Sequence, residues 1–231
     1  MKYGKVVKAT FISRPNRFIA VVDINGEVHT VHVKNTGRCR ELLISGATVY
    51  LERPEGGARK TEYDLIAVEK EREGRSPLLI NMDSQAPNAA IAEWLPRSGL
   101  FGEGAKIRRE YTVGASRFDF MIEDGEEISY AEVKGVTLEN NGIAMFPDAP
   151  TERGVKHLRE LTELSQLGHK VYVIFLIQMK GAVLFRPNEE THKEFADALR
   201  EAKARGVNVI ALDSHVTPDS LIADSPLPIE L

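Results

Sequence analysis

The 231-residue chain has a single cysteine, Cys39, and a single tryptophan, Trp94. A lone thiol can neither close an internal disulfide nor supply a cysteine-based zinc site. Long apolar runs are also missing. The longest purely apolar stretch covers 171–177, far short of the roughly 20 residues a membrane-spanning helix needs. The N-terminus, MKYGKVVKATF, repeats lysine and has no apolar segment or small-residue cleavage site, so it does not read as a signal peptide. No Gly-rich phosphate loop, dinucleotide fingerprint or nucleophile motif is found, which leaves a small-molecule enzyme with little support. Hydrophobic residues at 42% and charged residues at 28% exclude a disordered or fibrous chain. The expectation is a globular protein of the reducing cytoplasm, with no membrane partner.

The net charge of −4 conceals a division. Residues 1–60 hold 11 Lys/Arg against five acids, a net of +6, which leaves 19 bases and 29 acids, a net of −10, for the rest. A basic head on an acidic body concentrates positive potential where a phosphate backbone could dock. Arg14, Arg17, Lys34, Arg38 and Arg40 are its candidate phosphate contacts.

The head reads as short strands at 6–12, 18–24, 28–33, 48–53, 63–69 and 78–81, with Asn25-Gly26 as a hairpin signal. Five or six strands in about 80 residues suggest an OB-like β-barrel over 1–83. Phe11, Phe18, Tyr50 and Tyr63 lie among the basic residues, where aromatic rings serve either the core or base stacking.

Beyond Pro87 the pattern becomes mixed α/β. A helix at 89–95 capped by Asn88, strands at 107–113, 117–122 and 128–138, a helix from Thr151 to about 167 and a strand at 171–178 follow in turn. A strand at 183–186, a helix at 189–205 and a strand at 207–212 complete 84–231. On the strand over 128–138, Ile128, Tyr130, Glu132, Lys134, Val136 and Leu138 share one face, so two ions interrupt an apolar stripe. On the preceding strand, Phe118, Phe120 and Ile122 share a face and Asp119 lies on the other. Asp119 and Glu132 sit on hairpin-connected strands and could meet side by side. Two converging carboxylates suit Mg²⁺ or Mn²⁺, and a neighbouring lysine could position water or stabilise phosphoryl charge. A buried or surface ion-pair cluster would use the same residues.

The succession helix–hairpin–Glu132-Val-Lys134–helix–strand resembles the PD-(D/E)XK, or restriction-endonuclease-like, α-β-β-β-α-β core. Longer stretches are similar to the sugar fermentation stimulation protein A family: Asn35-Thr-Gly-Arg-Cys-Arg-Glu-Leu42, Arg117-Phe-Asp-Phe-Met121, Glu132-Val-Lys-Gly-Val-Thr-Leu138, and the run from Phe146 to Leu161. This resemblance implies DNA as partner, with RNA a second option. It offers two functions: a metal-dependent nuclease, or a non-catalytic DNA-binding regulator of sugar-utilisation genes. It assigns Asp119, Glu132 and the Val133 carbonyl to Mg²⁺ or Mn²⁺, Lys134 to the motif lysine, and Glu93 to an additional catalytic acid, with Glu110 as the alternative. Phe118 stands where the motif has proline. Arg153 and His157, four apart near a helix start, would hold a DNA phosphate. The oligomeric state is open, and a homodimer is compatible with the reading. Three other residues carry less. His29 and His32 lie three apart on a strand and should point to opposite faces, Cys39 reads as a packing residue, and Trp94 reads as core.

Overall fold

A computed structural model describes residues 1–35, 37–56, 59–114 and 116–231. Thr36, within the Asn35–Leu42 stretch, lies outside the described residues.

The first third contains β1 (Lys5–Asn16), β2 (Ile19–Ile24), β3 (Glu27–Val33), β4 (Thr48–Arg53), β5 (Asp64–Arg72) and β6 (Arg75–Asn81). They hydrogen-bond in the order β3-β2-β1-β4-β5-β6, and parallel pairing of His32 with Asp64 and Val33 with Leu65 joins β3 to β5. That last pairing closes β1 to β5 into an OB-like barrel and leaves β6 as an extension. The twelve-residue β1 serves both sides of the barrel: its start pairs with β4, and its end pairs with β2 across two register shifts that bend it. Period-two alternation turns Ala20, Val22, Val31, Val33, Val49 and Leu51 inward, all at most 1% exposed. At the first hairpin Asn25 and Gly26 adopt φ 54° and 91°, the positive values that such a turn requires.

The remainder begins with α1 (Ala86–Trp94) and continues through β7 (Lys106–Val113), β8 (Ser116–Asp124), β9 (Glu127–Val136), β10 (Leu138–Asn140) and β11 (Ile143–Phe146). It ends with α2 (Glu152–Gln166), β12 (Lys170–Ile177), β13 (Leu184–Pro187), α3 (Glu189–Ala204), β14 (Asn208–Thr217) and β15 (Ser220–Pro226). The main sheet has the order β15-β14-β12-β9-β8-β7, and a small sheet has the order β10-β11-β13. Val171 to Ile177 of the interior strand β12 are buried throughout, as a strand covered on both faces requires. One face of the sheet packs Val173 and Phe175 against Leu158 and Leu161 of α2 and Phe195 and Leu199 of α3. The other packs Phe120, Ile122, Val133 and Ile174 against Ala90 and Ile91 of α1. Trp94 is half-buried beside this second cluster.

Three details depart from the sequence reading. Helix α1 begins at Ala86, with Pro87 in its first turn and Gln85 as the N-cap, so Asn88 is helical and does not cap. Strands β10 and β11 had no visible signature, because three or four residues are too few to display an alternation. Strand β15 follows a tight turn after β14 and was also not anticipated. Thr151, by contrast, caps α2 as expected, its side chain accepting the Gly154 N–H at 3.1 Å.

Barrel and sheet are tied by buried polar groups. The Gln178 side-chain amide donates to Asn81 O at 3.1 Å, Asn81 Oδ1 at 2.9 Å and Asp83 O at 3.0 Å. Asp83 in turn accepts from Lys34 Nζ at 2.7 Å and Tyr3 Oη at 3.2 Å. Lys70 of β5 reaches Glu139 of β10 at 2.6 Å. Gly135 fits only because it has no Cβ: one would lie 2.4 Å from Gln178 Oε1 and 2.8 Å from Pro87 Cγ. Among the described residues no helix is long and apolar enough to cross a membrane.

Candidate metal and nucleic-acid site

The expected face of β9 is realised. Tyr130 and Val136 join the core under α2, while Ala131 and Val133 join the core under α1. Glu132 is therefore carried into the α2 side and is only 4% exposed. Its Oε1 accepts from Lys134 Nζ at 2.6 Å and from His157 Nδ1 of α2. The other oxygen, Oε2, is buried without a hydrogen-bond partner among the described residues. His157 Nε2 faces Arg153 Nε at 3.4 Å. His157, expected as a phosphate contact, is thus a buried partner of Glu132 instead. Arg153 remains exposed beside it.

Asp119 arrives by a break in the pleat. Strict alternation would keep Phe118 with Phe120 and Ile122. Instead Phe118 packs with Met121 and Tyr130 under α2, and Phe120 and Ile122 lie under α1. On β7 the pairs Arg109–Phe120 and Tyr111–Phe118 flank the irregularity, and Glu110 between them has φ 54°. At this break the Asp119 carboxylate accepts the Val133 N–H at 2.7 Å and the Asn88 side-chain amide at 2.6 Å. It stands in for a strand neighbour where the β8–β9 ladder has ended, at Phe120–Ala131. Strand geometry points the N–H and C=O of one residue the same way, so the Val133 carbonyl also faces this side.

The two carboxylates are driven in opposite directions. Burial raises the Asp119 pKa and repulsion from Glu132 adds to it, more than the Val133 N–H, Lys134 and Asn88 offset. Burial also acts to raise Glu132, but hydrogen bonds and charge from His157 and Lys134 outweigh it and hold that carboxyl below the usual range. A buried carboxylate oxygen with no donor costs about 1–3 kcal/mol or more. A hard divalent cation, which takes oxygen ligands, would satisfy Glu132 Oε2 and relieve the repulsion with Asp119. The donor set fits Mg²⁺ or Mn²⁺.

Other candidates lie elsewhere. Glu93 pairs with the Met1 α-amino group at 2.7 Å. Five residues beyond Asn88, it sits about 140° further round the helix at about 100° per residue, so it does not join Asp119. Glu110 is 65% exposed and faces Arg117 at 3.6 Å. The α1 residue at the acids is Asn88, which the sequence reading took for a cap; Pro87, tolerated in a first helical turn, was the signal that the helix could begin earlier.

In the barrel, Lys34 is engaged with Asp83 and, at 3.8 Å, with Glu52. Arg14 donates to the carbonyls of Gly37, Arg38, Arg17 and Asn35 at 2.7–2.8 Å, so it builds the loop and does not face a ligand. Arg14→Ala should loosen Asn35 and residues 37–40 by about 2–3 kcal/mol, since charged donors to several carbonyls are lost. Hydrogen exchange at Gly37 to Arg40 measures this, and unchanged protection would refute it. Arg17, Arg38 and Arg40 are exposed with no ion-pair partner among the described residues, and together line a cleft of about 240 Å³. The loop meets the segment ahead of α2: a Cβ on Gly37 would lie 2.7 Å from Asp148 Oδ2.

Cys39 is 2% exposed, and burial first, then Asp148, pushes its thiol up to about 12, consistent with packing. His29 and His32 part as expected, toward Glu27 and Asp64 respectively. Phe11 is core, and Tyr50 Oη donates to Glu69 at 2.6 Å. Glu152, His192 and Glu194 bring ligand atoms within 4.8 Å of one another. There, however, His192 Nδ1 accepts the Thr151 N–H at 3.3 Å and Glu194 pairs with Arg159 at 2.7 Å, an ionic network linking α2 to α3.

Comparison with known proteins matches two family profiles. The sugar fermentation stimulation protein RE domain covers residues 85–220, and the SfsA N-terminal OB domain covers residues 12–76. A sugar fermentation stimulation protein homolog of Desulfitobacterium hafniense (strain Y51) is 52% identical over 231 residues, covering 100% of this chain and 99% of the relative. A homolog of the same name from Clostridium beijerinckii is 52% identical over 221 residues, covering 96% of each. The solved structure of Pyrococcus furiosus SfsA in complex with Ca²⁺ superposes with a TM-score of 0.87 at 29% identity, covering 100% of this chain and 98% of that one.

Proposed function

The chain belongs to the sugar fermentation stimulation protein family, and from that premise we propose that it binds DNA and carries a Mg²⁺- or Mn²⁺-dependent phosphodiesterase site on its second sheet. The observation that carries the proposal is the buried Glu132 Oε2, without a hydrogen-bond partner among the described residues, on a carboxylate whose charge Asp119 feels. Asp119, Glu132 and the Val133 carbonyl would hold the cation. When bound, such a cation polarises a phosphate and acidifies water. Asn88 fixes Asp119, and His157 fixes Glu132 by its Oε1, leaving Oε2 free to take a cation. Lys134, 2.6 Å from Glu132 Oε1, would stabilise charge on the phosphoryl oxygens. The solved relative described with Ca²⁺ is consistent with an oxygen-ligand cation in this family. Arg17, Arg38 and Arg40 would carry phosphate contacts away from the reaction centre.

Incubated with Mg²⁺ or Mn²⁺, the protein should cut single- or double-stranded DNA or RNA, read on denaturing gels. Binding without cleavage of any of them would overturn the catalytic part. That outcome would favour the second reading, a non-catalytic DNA-binding regulator. One contact favours it: Lys134 Nζ lies 2.6 Å from Glu132 Oε1, an ion pair that a purely structural role also explains.

A further inference from the structure

The barrel has one feature that the acid site does not use. The turn between β1 and β2, Asn16-Arg17-Phe18, lies between two clefts. On one side Asn16 and Arg17 line the cleft with Arg38 and Arg40. On the other, Phe18 lines a cleft of about 390 Å³ together with His32, Lys34, Arg59, Asp64 and Gln85.

Phe18 is 45% exposed, the sole aromatic among the strongly exposed large apolar residues described. An exposed ring beside a cavity is what stacking needs, and the turn fixes it: Asn16 Oδ1 accepts the Phe18 N–H at 2.9 Å and the Ile19 N–H at 3.1 Å. The Arg17 guanidinium lies 5.0 Å from the ring centroid, joining the two clefts. Behind the ring, Asp64, 3% exposed, receives His32 Nδ1 at 3.1 Å and the Arg59 guanidinium. That bond orients the His32 ring and leaves Nε2 without a described partner. Gln85, exposed at the rim, adds an amide able both to donate and to accept. The second cleft thus joins an aromatic platform to hydrogen-bonding groups, and the first supplies three cations for phosphate.

The geometry points to the β1–β2 turn as a docking site for an unpaired nucleotide, its base stacked on Phe18 and its phosphates crossing Arg17, Arg38 and Arg40. This rests on the proposed nucleic-acid binding and deepens it, naming single-stranded nucleic acid as the class the barrel prefers. A duplex keeps its bases stacked on one another and presents no free face to Phe18, whereas an unpaired base does.

The test is fluorescence anisotropy with a labelled oligothymidylate and with a labelled duplex of equal length, in EDTA so that cleavage plays no part. Phe18→Ala should weaken single-strand binding about 5- to 150-fold, the range of one base–aromatic stack, while Phe18→Trp restores it and duplex binding barely changes. Because the ring is exposed, neither variant threatens the fold, which a thermal melt verifies. Single-strand affinity unchanged in Phe18→Ala, or a duplex affinity that falls equally, would overturn this site and leave the proposed function standing. Wild-type protein that binds neither probe would overturn both.

Discussion

Asp119→Ala should abolish saturable Mn²⁺ binding in titration calorimetry and reduce metal-dependent cleavage by about a thousandfold or more. A cation held at a phosphoryl centre contributes several kcal/mol, and about 1.4 kcal/mol is a factor of ten. The carboxylate accepts the Val133 N–H and the Asn88 amide, so alanine also removes local structure. Asp119→Asn separates the two roles. The amide retains an acceptor for Val133 and a similar shape but loses the charge a divalent ion needs. It should therefore melt within a few degrees of wild type while binding no Mn²⁺. Affinity for DNA measured in EDTA should hold or tighten, because a negative charge has been removed near the phosphates. Wild-type protein that shows no Mn²⁺ heat at all, or an Asp119→Asn variant that titrates normally, would contradict the site.

Gln178→Ala should lower thermal stability by about 3–5 kcal/mol, or about 10 °C in the melting midpoint at about 2–4 °C per kcal/mol for a chain of this size. Gln178 is 2% exposed, and its amide donates to Asn81 and Asp83 oxygens. Truncation leaves those acceptors buried without their donor and opens a void beneath Gly135 and Pro87. The effect should extend to the acids, since Lys134 precedes Gly135 and Asn88 follows Pro87. Differential scanning calorimetry reads the stability, and a drop of only a degree or two would show the network to be dispensable.

The parts legible in the sequence are those in which local pattern and tertiary context agree. Alternation placed Glu132 with Tyr130 and Val136 and Ala131 on the opposite side, because β9 remains regular along its length. Asn25-Gly26 and Thr151 marked their turn and cap through short-range geometry. The misreadings have tertiary causes. Period two cannot foresee the pleat break at Glu110 and Asp119, so Phe118 was assigned to the wrong face. Glu93 is the additional acid that the resemblance implies, but the phase of α1 brings Asn88 to Asp119 and Glu93 to the Met1 amine. Arg14 and Lys34 counted as free cations because composition records charge without the carbonyls and carboxylates that engage it. His157 was found, but its burial against Glu132 was not, since nothing local tells a helix-start histidine which way the sheet lies.

Leu51 and Val68 from the barrel, Ile80 and Met82 from its exit, and Phe175 and Leu161 from the sheet and α2 belong to one uninterrupted apolar cluster. A chain cut near residue 83 would thus strip each fragment of part of its own interior and present a greasy wall to water. Although each half matches its own family profile, the two cannot be exchanged like cassettes: a recombinant carrying a foreign barrel would inherit a mismatched seam, and with it a propensity to precipitate.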